Sequence, residues 1–393
     1  MFTDLIKALG ITKYPEELEK MHGTTLPVSI CNEENIRALD AEYDLLGKYR
    51  DKTYECLELV RGNDALRDYG DLISSYMARA DREKLSQASL PEINEDTPLR
   101  FYPLLVLLAI LPYGIEEYRR RGFSEEDIYK ALHPTFVARI ELSELMTKKQ
   151  GLDKAGFGWL RLYATALVFP AGCFNVTPKF YSGNFIFIKN INTGEVLPLA
   201  LRGIYHRSGN VLGAAGYTDD EGSFEVSFSE NGDAFYAHAA IDNRVSPIAR
   251  MYKKSEWHAV LREGDGTVGI HIPRGTDLSP ESVEAGFRLA MKLTQERYPE
   301  FNVKAIHCFS WMLDPTLADM LGAESKITKF LSRFVKHPRM SDGSGIFTFV
   351  FPGKPDSLEE LPEGTSLQMK LKAHYLSGGF IHPFGGIVPE FTC

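Results

Sequence analysis

Apolar side chains recur at three- and four-residue steps through about the first 150 positions. Ile36, Leu39, Tyr43 and Leu46 form one series, and Leu66, Tyr69, Ile73, Tyr76 and Met77 another. That spacing lays one apolar stripe along each of a set of α-helices. The polar stretch 85–98 (LSQASLPEINEDTP) reads as a loop, and Thr97-Pro98 offers an N-cap and a first-turn proline to the apolar helix beyond. Gly122-Phe123-Ser124 ends that helix and starts another, with Ser124 as N-cap and Asp127 completing a near capping box. This helix runs to about Lys149.

At Gly151 the pattern changes. Short β-rich runs now alternate with turn residues: FIFIKN (185–190), a turn at Asn192-Thr193-Gly194, then EVLPLAL (195–201), which together predict a hairpin. SFEVSF (223–228) and AFYAHAAI (234–241) predict further strands. Beyond Gly266 strands and helices alternate: strand 267–273, helix 279–299, strand 303–311, short helix 314–321, strand 346–351 (IFTFVF) and helix 365–379. Strands first and strand-helix-strand afterwards predict an α+β chain: an all-helical N-terminal domain over 1–151 and a mixed-sheet α/β domain over 152–393. In that sheet the strand around 268–272 is expected to be central, with the following helix packed on it.

Composition narrows the function. The 393 residues carry a formal net charge of -9 and no basic stripe with interleaved aromatics, so nucleic acid is not an expected partner. The longest apolar run, 104–111 (LLVLLAIL), is far shorter than the roughly 20 residues that cross a bilayer, so no membrane partner is expected either. Five cysteines (Cys31, Cys56, Cys173, Cys308, Cys393) are odd in number, dispersed and never CxxC. With no secretory leader visible in MFTDLIKALGITKYPEELEK, they point to a reducing, cytoplasmic location.

Several familiar signals carry no chemistry. Gly264-Asp265-Gly266-Thr267-Val268-Gly269 spells G-x-G-x-x-G, yet it precedes a strand, whereas a dinucleotide fingerprint must follow one and open a helix. It reads as a turn. His307 and Cys308 are neighbours on a strand and so point to opposite faces, which prevents them from sharing a metal. No metal is expected. The sequence contains no HExxH, GxSxG or GxxxxGK[ST].

The segment 268–290 is more telling. Val268, Ile270 and Ile272 share one strand face, Gly269 and His271 the other, and Pro273 ends the ladder. Arg274-Gly275-Thr276 then turns toward Ser279, an N-cap, and Pro280, with Val283, Phe287, Ala290 and Met291 as the buried stripe. An Arg-Gly turn feeding a helix N-terminus can hold an anion, although Asp277 opposes it and the same residues serve as an ordinary connection.

The block IHIPRGTDLSPESVEAGFRLAMKLTQERYPEFNVKAIHCFSWMLDPTLADML, with its landmarks HIPRG, YPE and SWMLDP, resembles a family of N-acyltransferases that pair a helical N-terminal domain with a GNAT-like C-terminal domain. The resemblance implies transfer of an acyl group from acyl-CoA to an amine or similar small acceptor. GNAT-type enzymes splay a central strand from its neighbour, seat the pantetheine in the gap and bind the diphosphate on amides at the next helix. On that basis Arg274, Gly275 and Thr276 are the cofactor-binding candidates. The usual [QR]xxGx[GA] loop is absent from RGTDLS, which is compatible with an acyl carrier protein as donor, or with a GNAT-shaped binding protein without catalysis.

The catalytic candidates are His271, as base for the amine proton, and Ser310 and Asp314, which follow a strand where α/β sites collect. Each has a structural reading beside it. His271 serves equally as a hydrogen-bonded core histidine; Ser310 and Asp314-Pro315 also make a helix start. His382 in GGFIHPFGG is open between packing and site. Phe180, Tyr181 and Trp257 motivate a third reading, a carbohydrate-active or sugar-binding protein, which requires exposed aromatics. The oligomeric state is not encoded in any of these signals.

Overall fold

The computed structural model describes residues 1–79, 89–351, 353 and 355–391. Residues 85–88 of the polar loop and Cys393 lie outside the described residues. The chain divides into two compact units, Met1–Phe169 and Pro170–Cys393.

The first unit is helical: α1 (Phe2–Ala8), α2 (Glu17–Met21), α3 (Glu33–Tyr43), α4 (Arg50–Arg61), α5 (Asp64–Met77), α6 (Tyr102–Arg120), α7 (Glu125–Thr147) and α8 (Lys154–Ala164). The apolar stripes face inward; Ile36, Leu39, Tyr43, Tyr69 and Ile73 are all buried. Pro98–Arg120 is the one described helical stretch long and apolar enough to cross a membrane by length and composition. Its apolar run 104–111 is buried, as the central helix of this unit. Ser124 and Asp127 close a full capping box at the start of α7.

The second unit holds two sheets. One contains β1 (Phe169–Ala171), β2 (Phe174–Phe180), β12 (Gly266–His271), β13 (Val303–Ser310), β14 (Val335–His337) and β15 (Phe384–Ile387), in the order β1-β2-β12-β13-β15-β14. The other contains β3 (Phe185–Asn190), β4 (Val196–Ala200), β7 (Phe228–Glu230), β8 (Ala234–Ile241), β9 (Arg244–Val245), β10 (Arg250–Lys253) and β11 (Trp257–Leu261), and is antiparallel where paired. A two-stranded pair joins β5 (Ile204–Tyr205) to β6 (Phe224–Glu225). The predicted hairpin is β3–β4, its turn held by the Asn190 side chain, which accepts from the N–H groups of Asn192 and Thr193.

Helix α9 (Pro280–Arg297) connects β12 to β13, which run parallel, and covers one face of the first sheet. Phe287 stacks on Phe174 of β2 at 5.3 Å, and Phe330 and Phe334 close around it. Gly286 makes this close: a Cβ there would come within 2.8 Å of the Phe174 ring. Helices α10 (Thr316–Leu321) and α11 (Lys326–Leu331) follow β13.

IFTFVF is not a strand. Helix α12 (Gly345–Phe349) occupies it, started by the Asp342 side chain accepting from Ser344, and buries Ile346 and Phe347. Phe347 packs on Tyr375 of α13 (Ser366–Leu376) at 5.1 Å. Its aromatic composition suits a strand, but the sheet edge is taken by β14, and packing on α13 decides the conformation.

Candidate functional site

On β12 the register with both neighbours assigns faces. Val268 and Ile270 lie opposite Pro178 and Val176 of β2 and Ile306 and Cys308 of β13, on the side covered by α9. Thr267, Gly269 and His271 lie opposite Lys179, Thr177 and Asn175 of β2, with Ala305 and His307 of β13 in the same row. One face is therefore apolar and the other polar.

The sheet opens at its middle. Pairing of β12 with β13 ends at Ile270↔Cys308, whereas β12 stays paired with β2 to His271 and β13 with β15 to Ser310. The two parallel strands thus part while each keeps its other partner. His271 stands at the parting on the polar face.

Thr177 Oγ1 lies 3.0 Å from His271 Nε2, which fixes the ring. Burial, reinforced by the Lys179 ammonium, lowers the His271 pKa to about 4. The imidazole is therefore neutral at physiological pH, with one ring nitrogen carrying a lone pair, and at that pKa it is a weak base.

Beyond His271, Pro273 and the turn 274–276 lead to α9. Gly275 has φ +80° and open space around it, and Thr276 bonds back to the Pro273 carbonyl through its hydroxyl at 2.7 Å. Arg274 is exposed and makes no hydrogen bond or ion pair among the described residues. The Ser279 hydroxyl donates to Asp277 Oδ2 at 2.7 Å and makes no cap bond, so among the described residues no side chain caps the first-turn N–H groups of α9. Asp277 is itself neutralised by Lys326, whose Nζ lies 2.7 Å away, and these bonds hold its carboxyl at about 2. The objection that Asp277 raised in the sequence is thereby met: an uncapped helix end and a free guanidinium follow the parting strands.

Ser310 and Asp314 lie apart from His271. Ser310 shares the face of Cys308, opposite to His271, and its hydroxyl accepts from the Met312 N–H at 3.1 Å. Asp314 is buried and its carboxylate accepts from the main-chain N–H groups of Thr316 (2.9 Å) and His382 (2.6 Å). It pins the start of α10 to the approach to β15. Burial raises its carboxyl above the usual range. His382 is buried beside Tyr217 and Phe380.

Three residues on the polar face were not brought together by the sequence: Lys179 was not singled out, His307 was weighed only as a metal ligand, and Tyr181 only as a sugar platform. His307 is only 6% exposed, and neither ring nitrogen has a hydrogen-bond partner among the described residues. Lys179 lies across Gly269, where a Cβ would meet its Cε at 2.9 Å. Its burial lowers the ammonium pKa. Tyr181, in edge contact with the His307 ring at 5.4 Å, has a buried hydroxyl without a partner. The signal was the alternation of Asn175, Thr177 and Lys179 along one strand.

Tyr181 and Trp257 are 3% and 8% exposed, and Phe180 packs on Phe301 at 5.0 Å, so the sugar reading loses two of its three aromatics. Among the described residues no group of three His, Cys, Asp or Glu is placed to hold a metal.

A central parallel pair that parts beside an uncapped crossover helix is the arrangement of a GNAT-like domain, and residues 212–388 match the family model described as a GNAT-like C-terminal domain. Solved structures share the fold along the chain. One is an acyltransferase in complex with decanoyl-CoA and teicoplanin, at 17% identity over 98% of each chain and a TM-score of 0.62. Another is an acyltransferase in complex with CoA and 10C-teicoplanin, also at 17% identity over 98% of each chain, with a TM-score of 0.63. A third is an acyltransferase mutant in complex with octanoyl-CoA, with the same identity and coverage and a TM-score of 0.61. No curated protein matches the sequence.

Proposed function

We propose that this chain transfers an acyl group from acyl-CoA to the amine of a small acceptor. The observation that carries the proposal is the parting of β12 and β13 beyond Ile270↔Cys308, with His271 at the opening and the uncapped α9 just after it. The diphosphate lies on Arg274 and the N–H groups following Gly275, and the pantetheine runs into the gap between the strands. The acceptor nitrogen attacks the thioester carbon and the C–S bond breaks. His271, neutral and held by Thr177, takes the proton the nitrogen loses; main-chain N–H groups at the parting strands take the charge on the carbonyl oxygen. The fold shared with acyltransferases crystallised with decanoyl-CoA and octanoyl-CoA supports this assignment of the donor. An acyl carrier protein is the other donor compatible with the RGTDLS loop. The free thiols of Cys31, Cys56, Cys173 and Cys308 support a cytoplasmic location.

Calorimetric titration with decanoyl-CoA, followed by thiol release in the presence of amines, tests the reading. Saturable binding and amine-dependent thiol release are expected. Binding without turnover would favour a GNAT-shaped binding protein, and no binding at millimolar ligand would remove CoA as donor.

A further inference from the structure

The polar face of β12 and β13 is electrically one-sided. Lys179 makes no ion pair or side-chain hydrogen bond among the described residues. The Arg339 guanidinium, 5.0 Å above the exposed ring of Phe309, makes no ion pair either. The charged groups that hold the His307 imidazole in its neutral form, besides its burial, are the Lys179 ammonium and the Arg339 guanidinium; the neighbouring His337 and His271 rings are themselves neutral at physiological pH. In a chain of net charge -9 this is an unusual local excess.

Polar atoms around His307 are also left without partners, in the neutral ring one N–H donor and one acceptor nitrogen. Both His307 nitrogens are buried and unpartnered among the described residues, and the buried Tyr181 hydroxyl, with the Phe185 N–H beside its oxygen, has no acceptor for its own proton. Unsatisfied buried polar groups are costly, and three on adjoining side chains that face one unpaired ammonium mark a place where a polar ligand can complete them. Gly269 belongs to the same arrangement, because a side chain there would push Lys179 away from His307.

We infer that Lys179, His307, Tyr181 and Arg339 form a carboxylate-binding site, and that the acceptor of the proposed transfer is an amino carboxylate held there by its acid group. The inference rests on the acyltransferase reading for the word acceptor, and on this face alone for the carboxylate. His307 is register partner of Gly269, and His271 lies two residues further along β12, about 6–7 Å away at strand rise. A compact molecule can thus place its carboxylate on Lys179 and its amine at His271. A single anionic charge matches the half-buried Lys179 ammonium, with His307 neutral; a dianionic phosphate would bring a second charge with only the exposed Arg339 to meet it.

The test uses the full chain with acetate and inorganic phosphate as probes against chloride at constant ionic strength. Binding is read by the ring signals of His307 in ¹H–¹³C spectra, assigned with His307→Asn, and by thermal unfolding. Acetate should shift the His307 signals saturably, and Lys179→Met should weaken that response at least tenfold. Lys179→Met removes a half-buried charge that makes no ion pair among the described residues, so it should fold and melt no lower than wild type; Lys179→Arg should restore part of the acetate response. Saturating CoA should change acetate affinity less than about twofold. An absent or unsaturable response to acetate, a response to phosphate alone, or an unaltered response in Lys179→Met would overturn the site. Competition between acetate and CoA would reassign it to the donor and overturn the acceptor inference. Absence of CoA binding would instead count against the acyltransferase reading, whatever acetate does.

Discussion

Replacing Arg274 by alanine separates a donor site from an ordinary strand-helix connection. The side chain is exposed and makes no hydrogen bond or ion pair among the described residues, so its removal should alter folding stability by no more than about 0.5 kcal/mol. A guanidinium bond to the diphosphate contributes about 1.5–3 kcal/mol. At 1.4 kcal/mol per decade, the dissociation constant for decanoyl-CoA should rise roughly 10- to 100-fold. The α9 dipole is untouched and keeps its own contribution of about 0.3–1 kcal/mol, so binding weakens without vanishing. Calorimetry at two salt concentrations adds a control, because screening should weaken the wild type more than the variant and narrow the gap. Decanoyl-pantetheine adds another. It lacks the diphosphate, so wild type and variant should bind it alike. Equal affinity of both proteins for decanoyl-CoA, or an equal loss for the pantetheine thioester, would refute the assignment of Arg274 to the diphosphate.

Other substitutions probe the remaining parts. His271→Ala should lower acyl transfer about 10²- to 10⁴-fold in kcat while leaving the decanoyl-CoA dissociation constant unchanged, as steady-state kinetics and calorimetry would show together. Phe287→Ala empties the slot between Phe174, Phe330 and Phe334 and should cost about 3–5 kcal/mol in urea unfolding of the C-terminal unit. Asp314→Ala leaves the Thr316 and His382 N–H groups without their acceptor, at about 1–3 kcal/mol for each that stays buried, and Asp314→Asn should recover part of the loss. His271 and His337 are lowered to about 4 and about 3, mainly by burial, from an unfolded value of 6.5. Between those values the unfolded chain binds more protons, so stability should fall as pH drops below about 6.5, by up to about 1.4 kcal/mol per pH unit for each group. His337→Leu, in the slot stacked on Phe185 at 4.0 Å, should remove one group's share of that slope in urea titrations at pH 5–7.

What could be read from the sequence divides along a physical line. Patterns internal to one element were legible. The capping box at Ser124, the helical stripes and the apolar face of β12 each follow from a few neighbouring residues, and each agrees with the fold. Elements set by tertiary packing were not. IFTFVF has strand composition but folds as α12 against Tyr375, whereas the edge strand β14 is three residues long and β15 is FGGI, whose glycines have little strand preference. The turn between β12 and α9 was legible because Pro273, Gly275 and Pro280 are local signals, whereas Ser279 gives its hydroxyl to Asp277 and does not cap the helix. Lys179, Tyr181 and His307 come together only through the registers β2–β12 and β12–β13, which no single segment encodes. Gly269 joins the two cases. In the sequence it is the last glycine of an idle G-x-G-x-x-G, read as a turn entering a strand, and the strand does begin at Gly266. In the folded sheet it lies between Thr177 and His307, and the side chain it lacks is what lets the Lys179 ammonium reach across β12. Gly269→Ala should therefore disturb Lys179 before it disturbs the strand, because the flexible Cε yields more readily than the Thr177 carbonyl, 3.2 Å from the new methyl. That one methyl should weaken acetate binding while leaving decanoyl-CoA affinity intact. Equal loss of both would mean that the sheet, not the lysine, had moved.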